Sequence, residues 1–279
     1  MRIGVSAFAW TTVFTTEHLG ILPSLREHGL SSFEVGMFNP AILPAGEIRR
    51  ASEANDISIS VCAILPADAN PISPDAAVRK HARIHLLQCV ETAAAMGAHL
   101  VCGPVYAPIG YLPGRRRSED EWSWAVECFQ SLGDALDSHD VTLAIEPVNR
   151  SETFFLNTAA EVQSLCEAVG DPRVGATIDT FHANIEEKNV ADAVAMLGTS
   201  LRHLHISEND RGLIGSGHVD FRAILNSLRK IEFDGWLMIE GFGFSAKEAH
   251  SPGALWGDLS VSPEEIAFKG ASYLQGLLE

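Results

Sequence analysis

Eight short apolar runs constrain the fold of this 279-residue chain more than any other feature. They do not alternate apolar with polar side chains, which is typical of strands covered on both faces, as in parallel sheets wrapped by helices. We therefore predict eight buried parallel strands. The runs lie at 2–6, 33–36, 59–64, 99–103, 143–149, 174–180, 201–206 and 235–241.

Segments with helical character separate these runs. Residues 75–96 place apolar side chains three and four positions apart, and 118–138 begins with a serine followed by acidic residues, as helices often do. Strand followed by helix, eight times, predicts a (β/α)8 TIM barrel formed as one domain by residues 1–279. A doubly wound open sheet is the alternative. Further helices are predicted at 16–28, 44–55, 158–169, 190–197, 219–231 and 262–278.

The net charge indicates which classes of partner are disfavoured, and the cysteine content indicates the cellular compartment. The 36 acidic and 20 basic side chains leave a net charge of −16, which disfavours nucleic acids and anionic membranes as partners. Five cysteines occur without C-x-x-C spacing, so we expect neither a disulfide framework nor a thiolate zinc site. The N-terminus lacks a signal-like apolar segment, and no apolar run has the length of a membrane span. We expect a cytoplasmic protein.

Four of the predicted strands end on residues whose side chains bind metals, namely Glu146, Asp179, His205 and Glu240. The carboxyl ends of consecutive barrel strands converge on one cavity, so these four groups should meet. Three carboxylates in a dry pocket repel one another, and a divalent cation relieves that repulsion. One imidazole with three carboxylates favours Mn²⁺, Mg²⁺ or Co²⁺. Any one of these acids alone would more often cap a helix or pair with an arginine.

Two glutamates on opposite sides of a metal suit proton transfer at a carbon beside a carbonyl. A metal that chelates the ketone oxygen and the neighbouring hydroxyl would stabilise the enediolate formed when one glutamate removes the proton. If Glu240 removes the proton from one face and Glu146 returns one to the other, the carbon inverts, which describes an epimerase. Return of the proton to the adjacent carbon on the same face would describe an aldose–ketose isomerase.

The sequence around these residues resembles the D-tagatose 3-epimerase family. This family includes D-psicose (allulose) and L-ribulose 3-epimerases and belongs to the xylose-isomerase-like barrels. The similarity runs through roughly 140–279 and is loose in the N-terminal half. It is carried by E-P-V-N-R-S-E at 146–152, D-T-F-H-A-N-I-E-E at 179–187, H-I-S-E-N-D-R at 205–211, G-S-G-H-V-D-F at 215–221, I-E-G-F at 239–242 and G-A-L-W-G-D-L-S at 253–260.

The resemblance implies a role for each matching residue. It implies that the four strand-end residues bind the metal, usually Mn²⁺ or Co²⁺, and that Glu146 and Glu240 are also the acid–base pair. It further implies that sugar oxygens near C1 to C3 are bound by Glu152, His182 and Arg211. The substrate would be a small sugar, and the family suggests a homodimer or homotetramer.

Two departures from the family pattern leave a second interpretation open. Gly241-Phe242 follows the glutamate of the eighth strand, where ketose 3-epimerases usually have Pro-Phe, and the block after His205 reads S-E-N-D instead of G-E-x-N. Related barrels that act as 4-epimerases on 3-keto-glycosides share the G-S-G and Asp-Phe pattern. Glu152 favours a ketose 3-epimerase acting on a free ketose, because those relatives tend to carry an amide there.

The far carbons of the sugar need a further pocket, which early strand ends should supply. Aromatic residues at strand ends are at least as often part of the core. With that alternative in view, we expect the distal pocket to be lined by Phe8, Trp10, Cys62, Tyr106 and Phe242.

Several other interpretations compete with these expectations. R-R-R at 115–117 is expected to be a solvated or subunit-contact patch, and G-L-I-G-S-G at 212–217 makes a sugar phosphate the alternative to the favoured unphosphorylated sugar. The negative charge disfavours an endonuclease IV-like nuclease, and the paired glutamates disfavour a non-catalytic sugar-binding barrel. An inosose dehydratase or a hydroxypyruvate isomerase would use similar metal ligands.

Overall fold

The computed structural model describes residues 1–242 and 261–279 and contains the predicted barrel. Eight parallel strands close in sequence order, and the first pairs with the last. The (β/α)8 prediction is confirmed, and the open-sheet alternative is wrong. The strands are β1 Arg2–Ser6, β2 Ser32–Met37, β3 Ser58–Ala63, β4 Leu100–Gly103, β5 Thr142–Ile145, β6 Val174–Asp179, β7 Leu201–Ile206 and β8 Trp236–Ile239.

Helices alternate with the strands and pack against the outside of the barrel. Short 3₁₀ helices occur at Ala7–Ala9, Thr16–Ile21, Pro40–Ile42 and Gly198–Ser200, and a π-helical turn at Glu265–Lys269 precedes the last helix. The α-helices are α1 Leu22–Glu27, α2 Ala45–Asn55, α3 Ala76–Ala95, α4 Glu119–Gln130, α5 Gly133–Ser138, α6 Ala159–Val169, α7 Thr180–Glu186, α8 Val190–Leu197, α9 Phe221–Lys230 and α10 Gly270–Leu278.

The helix predicted at 118–138 is interrupted in the structure. The Ser131 hydroxyl donates a hydrogen bond to the carbonyl of Cys128 at 2.6 Å, and α4 ends just before it. Gly133, a poor helix former, then begins α5. Local competition for backbone hydrogen bonds therefore divides a segment whose apolar spacing is continuous.

Two further helices differ from the prediction. The segment predicted at 16–28 begins as a 3₁₀ helix and becomes α-helical only at α1, where Pro23 occupies the first turn and its missing N–H costs no hydrogen bond. Helix α7 was not predicted. It starts because the Asp179 side chain accepts a hydrogen bond from the Phe181 N–H at 2.9 Å, so the last residue of β6 is also a helix cap.

Apolar side chains pack in two clusters. The main core lies between the strands and the helices. A smaller cluster lies inside the barrel, near the carboxyl ends of the strands, and consists of Phe8, Cys62, Cys102, Ala144 and Phe242. Within the described ranges, no helix combines the length and the apolar character that a membrane span requires. The signature block at 253–260 lies outside the described residues.

Candidate active site

The four strand-end residues lie at one end of the barrel, and two of them, Glu146 and Glu240, line a cavity there. Glu146 and Glu240 directly follow β5 and β8, Asp179 is the last residue of β6, and His205 is the penultimate residue of β7. Their exposed fractions lie between 0% and 4%. Because all eight strands run in one direction, these consecutive strand ends meet at the same rim.

Three of these residues offer ligand atoms to one point. One donor atom each from Glu146, Asp179 and His205 lie within 4.8 Å of one another. The Nδ1 atom of His205 is 3.1 Å from Oε1 of Glu146 and 4.0 Å from Oε1 of Glu240. Carboxylate oxygens grouped around one imidazole nitrogen form a donor set that suits a hard or borderline divalent cation.

Arg211 lies among the carboxylates of this site. Its Nη1 donates to Oδ2 of Asp179 and Oε2 of Glu240, both at 2.5 Å, and to Oγ of Ser207 at 2.8 Å. Its guanidinium lies 4.1 Å from the ring centroid of Phe181. With an exposed fraction of 5%, Arg211 belongs to the site and not to the solvated surface.

The electrostatics of the site favour additional positive charge. Burial, together with the carboxylates of Asp179 and Glu146, raises the pKa of Glu240 to about 8 despite the opposing effects of His205 and Arg211. Burial alone would also raise the pKa of Asp179. The charge of Arg211, together with smaller effects of His182, His205 and the Phe181 N–H, outweighs burial and lowers this pKa to about 2. A divalent cation would relieve the repulsion that keeps a proton on Glu240, so these residues fit a metal site.

The three residues expected to bind sugar oxygens lie together at the edge of the cavity. Nδ2 of Asn149 donates to Oε1 of Glu152 at 2.8 Å and lies 2.9 Å from Nδ1 of His182. Nε2 of His182 lies 3.1 Å from Nη2 of Arg211. Burial lowers the pKa of His182 to about 3, so its imidazole is neutral near pH 7. The edge therefore presents a carboxylate, a neutral imidazole and a guanidinium.

The other described residues that line the cavity are apolar or, in the case of Cys62, a thiol. Phe8, Cys62 and Phe242, three of the five residues expected in a distal pocket, line it. The ring of Phe8 stacks on that of Phe242 with centroids 5.6 Å apart. The other apolar lining residues are Phe38, Ile64, Pro104, Ile109 and Val148.

Trp10 and Tyr106, also expected in the distal pocket, do not line this cavity. Nε1 of Trp10 donates to Oε1 of Glu264 at 3.0 Å, and its ring packs on the main core. The Tyr106 ring is fully buried 5.4 Å from that of Phe155. Both aromatic residues follow strands, but their side chains pack with the main core and do not line the cavity, which corrects the expectation for these two residues.

Several polar residues around the site were not predicted from the sequence. Asn149 and Ser207 hold the residues just described, while Glu34 and His203 lie inside the barrel next to His205. Two signals could have indicated the interior pair. Glu34 is a charge inside the apolar run F-E-V-G, and His203 and His205 are two positions apart, so they share one face of β7.

Comparison with known proteins gives the same fold and a group of related enzymes. The profile of the xylose isomerase-like TIM barrel family matches residues 22–275. A probable ketose 3-epimerase of Synechocystis sp. is 26% identical over 275 residues, covering 99% of this chain and 96% of that protein. The L-ribulose 3-epimerase of Mesorhizobium japonicum is 30% identical over 242 residues, covering 86% of this chain and 81% of that protein.

Solved structures agree with these matches. The D-allulose 3-epimerase from Methylomonas sp., in complex with D-allulose, superposes with a TM-score of 0.92 at 24% identity, covering 99% of this chain and 96% of that one, and so shares the fold. The full-length relatives are epimerases, and the protein is an enzyme of the isomerase class. Profile, relatives and barrel together show that the chain belongs to the xylose isomerase-like TIM barrels and, within them, to the ketose 3-epimerase family.

Proposed function

We propose that this chain is a divalent-metal-dependent ketose 3-epimerase that inverts C3 of a free ketohexose or ketopentose. The observation that carries the proposal is that donor atoms of Glu146, Asp179 and His205 meet at consecutive strand ends, and that Glu146 and Glu240 line the adjoining cavity. All four would bind the cation, with Mn²⁺ the favoured ion and Co²⁺ or Mg²⁺ the alternatives. Once bound, the cation would supply positive charge beside the sugar oxygens on which negative charge develops.

Two glutamates perform the proton transfers in this proposal. Because β6 and β7 separate β5 from β8, Glu146 and Glu240 approach the cavity from different sides. Glu240 takes the proton from C3 on one face of the sugar, and Glu146 delivers a proton to the opposite face, so the configuration of the carbon inverts.

The cavity edge supports the binding of sugar oxygens near the reacting carbon. Glu152 accepts hydrogen bonds from sugar hydroxyls, while Arg211 donates them from a guanidinium already held by Ser207. His182 is neutral, so one of its ring nitrogens carries a proton and the other has a free lone pair. The imidazole can therefore donate a hydrogen bond to a sugar carbonyl or accept one from a sugar hydroxyl. These groups would orient C3 between the two glutamates.

The loop after β7 supports an unphosphorylated substrate. The buried carboxylate of Glu208 accepts hydrogen bonds from the N–H groups of Gly215 and Val219 at 3.0 and 3.1 Å. The N–H of Gly212 is bonded to Oδ1 of Asp210. A phosphate at this glycine-rich loop would therefore meet two carboxylates and backbone donors that are already used.

Proton NMR in D₂O tests the proposal. The Mn²⁺-treated enzyme is incubated with D-fructose, D-psicose, D-tagatose or L-ribulose, and the metal is removed before spectra are recorded. We expect a new ketose that carries deuterium at C3. A parallel incubation contains a 3-keto-glycoside. Exchange at its C4, with no exchange in the free ketoses, would assign the protein to the alternative 4-epimerases, and formation of an aldose would assign it to the aldose–ketose isomerases.

Matched variants test the role of the base. Glu240→Gln preserves the shape of the side chain but cannot take a proton, so we expect turnover to fall by about 10²-fold or more. Glu167→Gln, on an exposed part of α6, is the control and should keep full activity. More than about a tenth of the activity in Glu240→Gln, a loss of only ~1.4 kcal/mol in transition-state stabilisation, would exclude Glu240 as the base.

A further inference from the structure

A buried carboxylate lies inside the barrel, beneath the proposed metal site. Glu34 projects from β2, and its exposed fraction is 0%. Its Oε1 lies 2.9 Å from Nε2 of His205, while its Oε2 lies 3.0 Å from Nε2 of His203 and accepts hydrogen bonds from Ser60 Oγ at 3.0 Å and Cys102 Sγ at 3.3 Å. Burying a carboxylate costs much free energy unless such partners surround it.

His205 joins this carboxylate to the proposed metal site. Its Nε2 faces Glu34, and its Nδ1 faces Glu146 on the opposite side of the ring at 3.1 Å. An imidazole that donates Nε2–H to a carboxylate keeps its Nδ1 lone pair available for a cation. The hydrogen bond also fixes the plane of the ring, since only one orientation reaches both glutamates.

We propose that Glu34 is a positioning residue, which holds His205 with its proton on Nε2 and its Nδ1 aimed at the bound cation. The inference rests on the proposed function, because it takes His205 to be a metal ligand. Glu34 is 171 residues from His205 in the chain. Among the residues that the structure describes, its carboxylate contacts the four proposed ligands through the His205 ring. It contributes to metal affinity and ring orientation and does not touch the sugar.

A different role for the same atoms is a site for a soft metal. Ligand atoms of Glu34, Cys62, Cys102 and His205 all lie within 4.8 Å of one another. The hydrogen-bond interpretation is favoured because Cys102 Sγ lies nearer to two oxygen acceptors, Oε2 of Glu34 at 3.3 Å and the carbonyl of Val61 at 3.4 Å, than to Nε2 of His205 at 3.6 Å. The Cys102 thiol therefore lies where it can donate a hydrogen bond to an oxygen, which requires the protonated form and not the thiolate that binds a metal.

Metal affinity is the first readout. The dissociation constant for Mn²⁺ is measured from the electron paramagnetic resonance signal of the free ion, with unfolding temperatures of the metal-free proteins as the check on folding. We expect Glu34→Gln to weaken binding by about 10-fold and Glu34→Ala by up to about 100-fold. Ser60→Ala removes another hydrogen bond to the same carboxylate but leaves the Glu34–His205 contact, so its affinity should stay within about threefold of the wild type.

The second readout is which ring nitrogen of His205 carries the proton. This measurement is made on the wild-type protein, so it does not depend on whether a Glu34 variant folds. Protein labelled with ¹⁵N-histidine is loaded with Mg²⁺, and the His205 signal is identified by its loss in His205→Asn. We expect one slowly exchanging proton on Nε2 and none on Nδ1. In Glu34→Gln the same proton should exchange faster, because its carboxylate acceptor is gone.

Each outcome decides the inference. A proton on Nδ1 of His205, or equal Mn²⁺ affinity in the wild type and both Glu34 variants, would overturn the role of Glu34 and leave the metal site standing. A wild-type protein that binds neither Mn²⁺ nor Mg²⁺ would overturn both proposals. Thiolate-to-cobalt absorption in the Co²⁺-loaded protein, lost in Cys102→Ser, would identify the soft-metal site instead.

Discussion

The absence of a side chain at Gly36 leaves the space that the ring of Phe8 occupies at the cavity wall. It lies on β2, and a Cβ atom built on it would be 2.4 Å from Cε1 and 2.8 Å from Cζ of Phe8. The Phe8 ring is confined on other sides, since it stacks on Phe242 and meets the edge of Phe38 at 6.1 Å. Without the space that glycine leaves, Phe8 would have to move.

Gly36→Ala should therefore narrow the cavity in which we propose that the sugar binds. We expect KM for the ketose to rise by about 3–10-fold, with a smaller change in kcat and a loss of about 1–3 kcal/mol in the free energy of unfolding, as overpacked sites show. Steady-state kinetics and urea unfolding measure the two effects. Gly20→Ala, where a Cβ meets nothing within 4 Å, is the control. An unchanged KM in Gly36→Ala would mean that Phe8 does not border the bound sugar.

At the scale of elements, two arginines of the R-R-R run tie loops to helix starts. Arg115 makes a two-point contact with Glu121 at 2.7 and 2.9 Å, and Arg117 contacts Glu161 at 2.6 Å. Both glutamates are the third residues of their helices, α4 and α6, and complete capping boxes with Ser118 and Thr158. These arginines therefore help to fix the start of each helix, in addition to any role on the surface.

Glu121→Gln should destabilise the protein in a pH-dependent way. Hydrogen bonds from Arg115 outweigh burial and lower the pKa of Glu121 below its usual range. A carboxylate whose pKa is lower in the folded state contributes stability at neutral pH, and the contribution disappears as pH falls through the folded-state pKa. Because Arg115 is half exposed, we expect a difference of only about 1 kcal/mol at pH 7.

Urea unfolding from pH 7 down to pH 3 measures this difference. The curves of wild type and Glu121→Gln should approach each other below about pH 4, where the wild-type carboxylate begins to bind a proton. The exposed Glu119→Gln in the same helical turn is the control for charge alone. A gap that stays constant over the whole range would show that the carboxylate charge does not stabilise α4.

At the scale of the whole molecule, burial protects every thiol. Burial raises the pKa of Cys89, Cys128 and Cys166 to about 12. The thiolate is the reactive form, so a raised pKa and low exposure both slow modification. All five cysteines are free and buried, namely Cys62, Cys89, Cys102, Cys128 and Cys166.

Ellman's reagent should therefore find almost no reactive thiol in the native protein at pH 8. In concentrated guanidinium chloride the same sample should release the equivalent of all five cysteines. The absorbance of the released thiolate measures both counts. A thiol that reacts within seconds under native conditions would contradict this burial, and a Cys62→Ser variant would test whether that thiol faces the cavity.

The strands and the residues at their ends could be predicted from the sequence. Continuous apolar runs predict buried parallel strands, and parallel closure brings Glu146, Asp179, His205 and Glu240 to one rim without knowledge of any side-chain contact. The break between α4 and α5 could not be predicted, because the apolar spacing continues through it. The helix ends where the Ser131 hydroxyl bonds to the carbonyl of Cys128.

What only the tertiary structure decided are contacts between side chains far apart in the chain. The fold places Arg211 between Asp179 and Glu240, packs Trp10 and Tyr106 with the main core, and sets Glu34 against a histidine 171 residues later. By itself the sequence determined the barrel and the placement of four metal-ligand residue types at consecutive strand ends, because both follow from local periodicity. Long-range contacts depend on how the closed barrel orients each side chain, and this orientation cannot be predicted from the local sequence pattern.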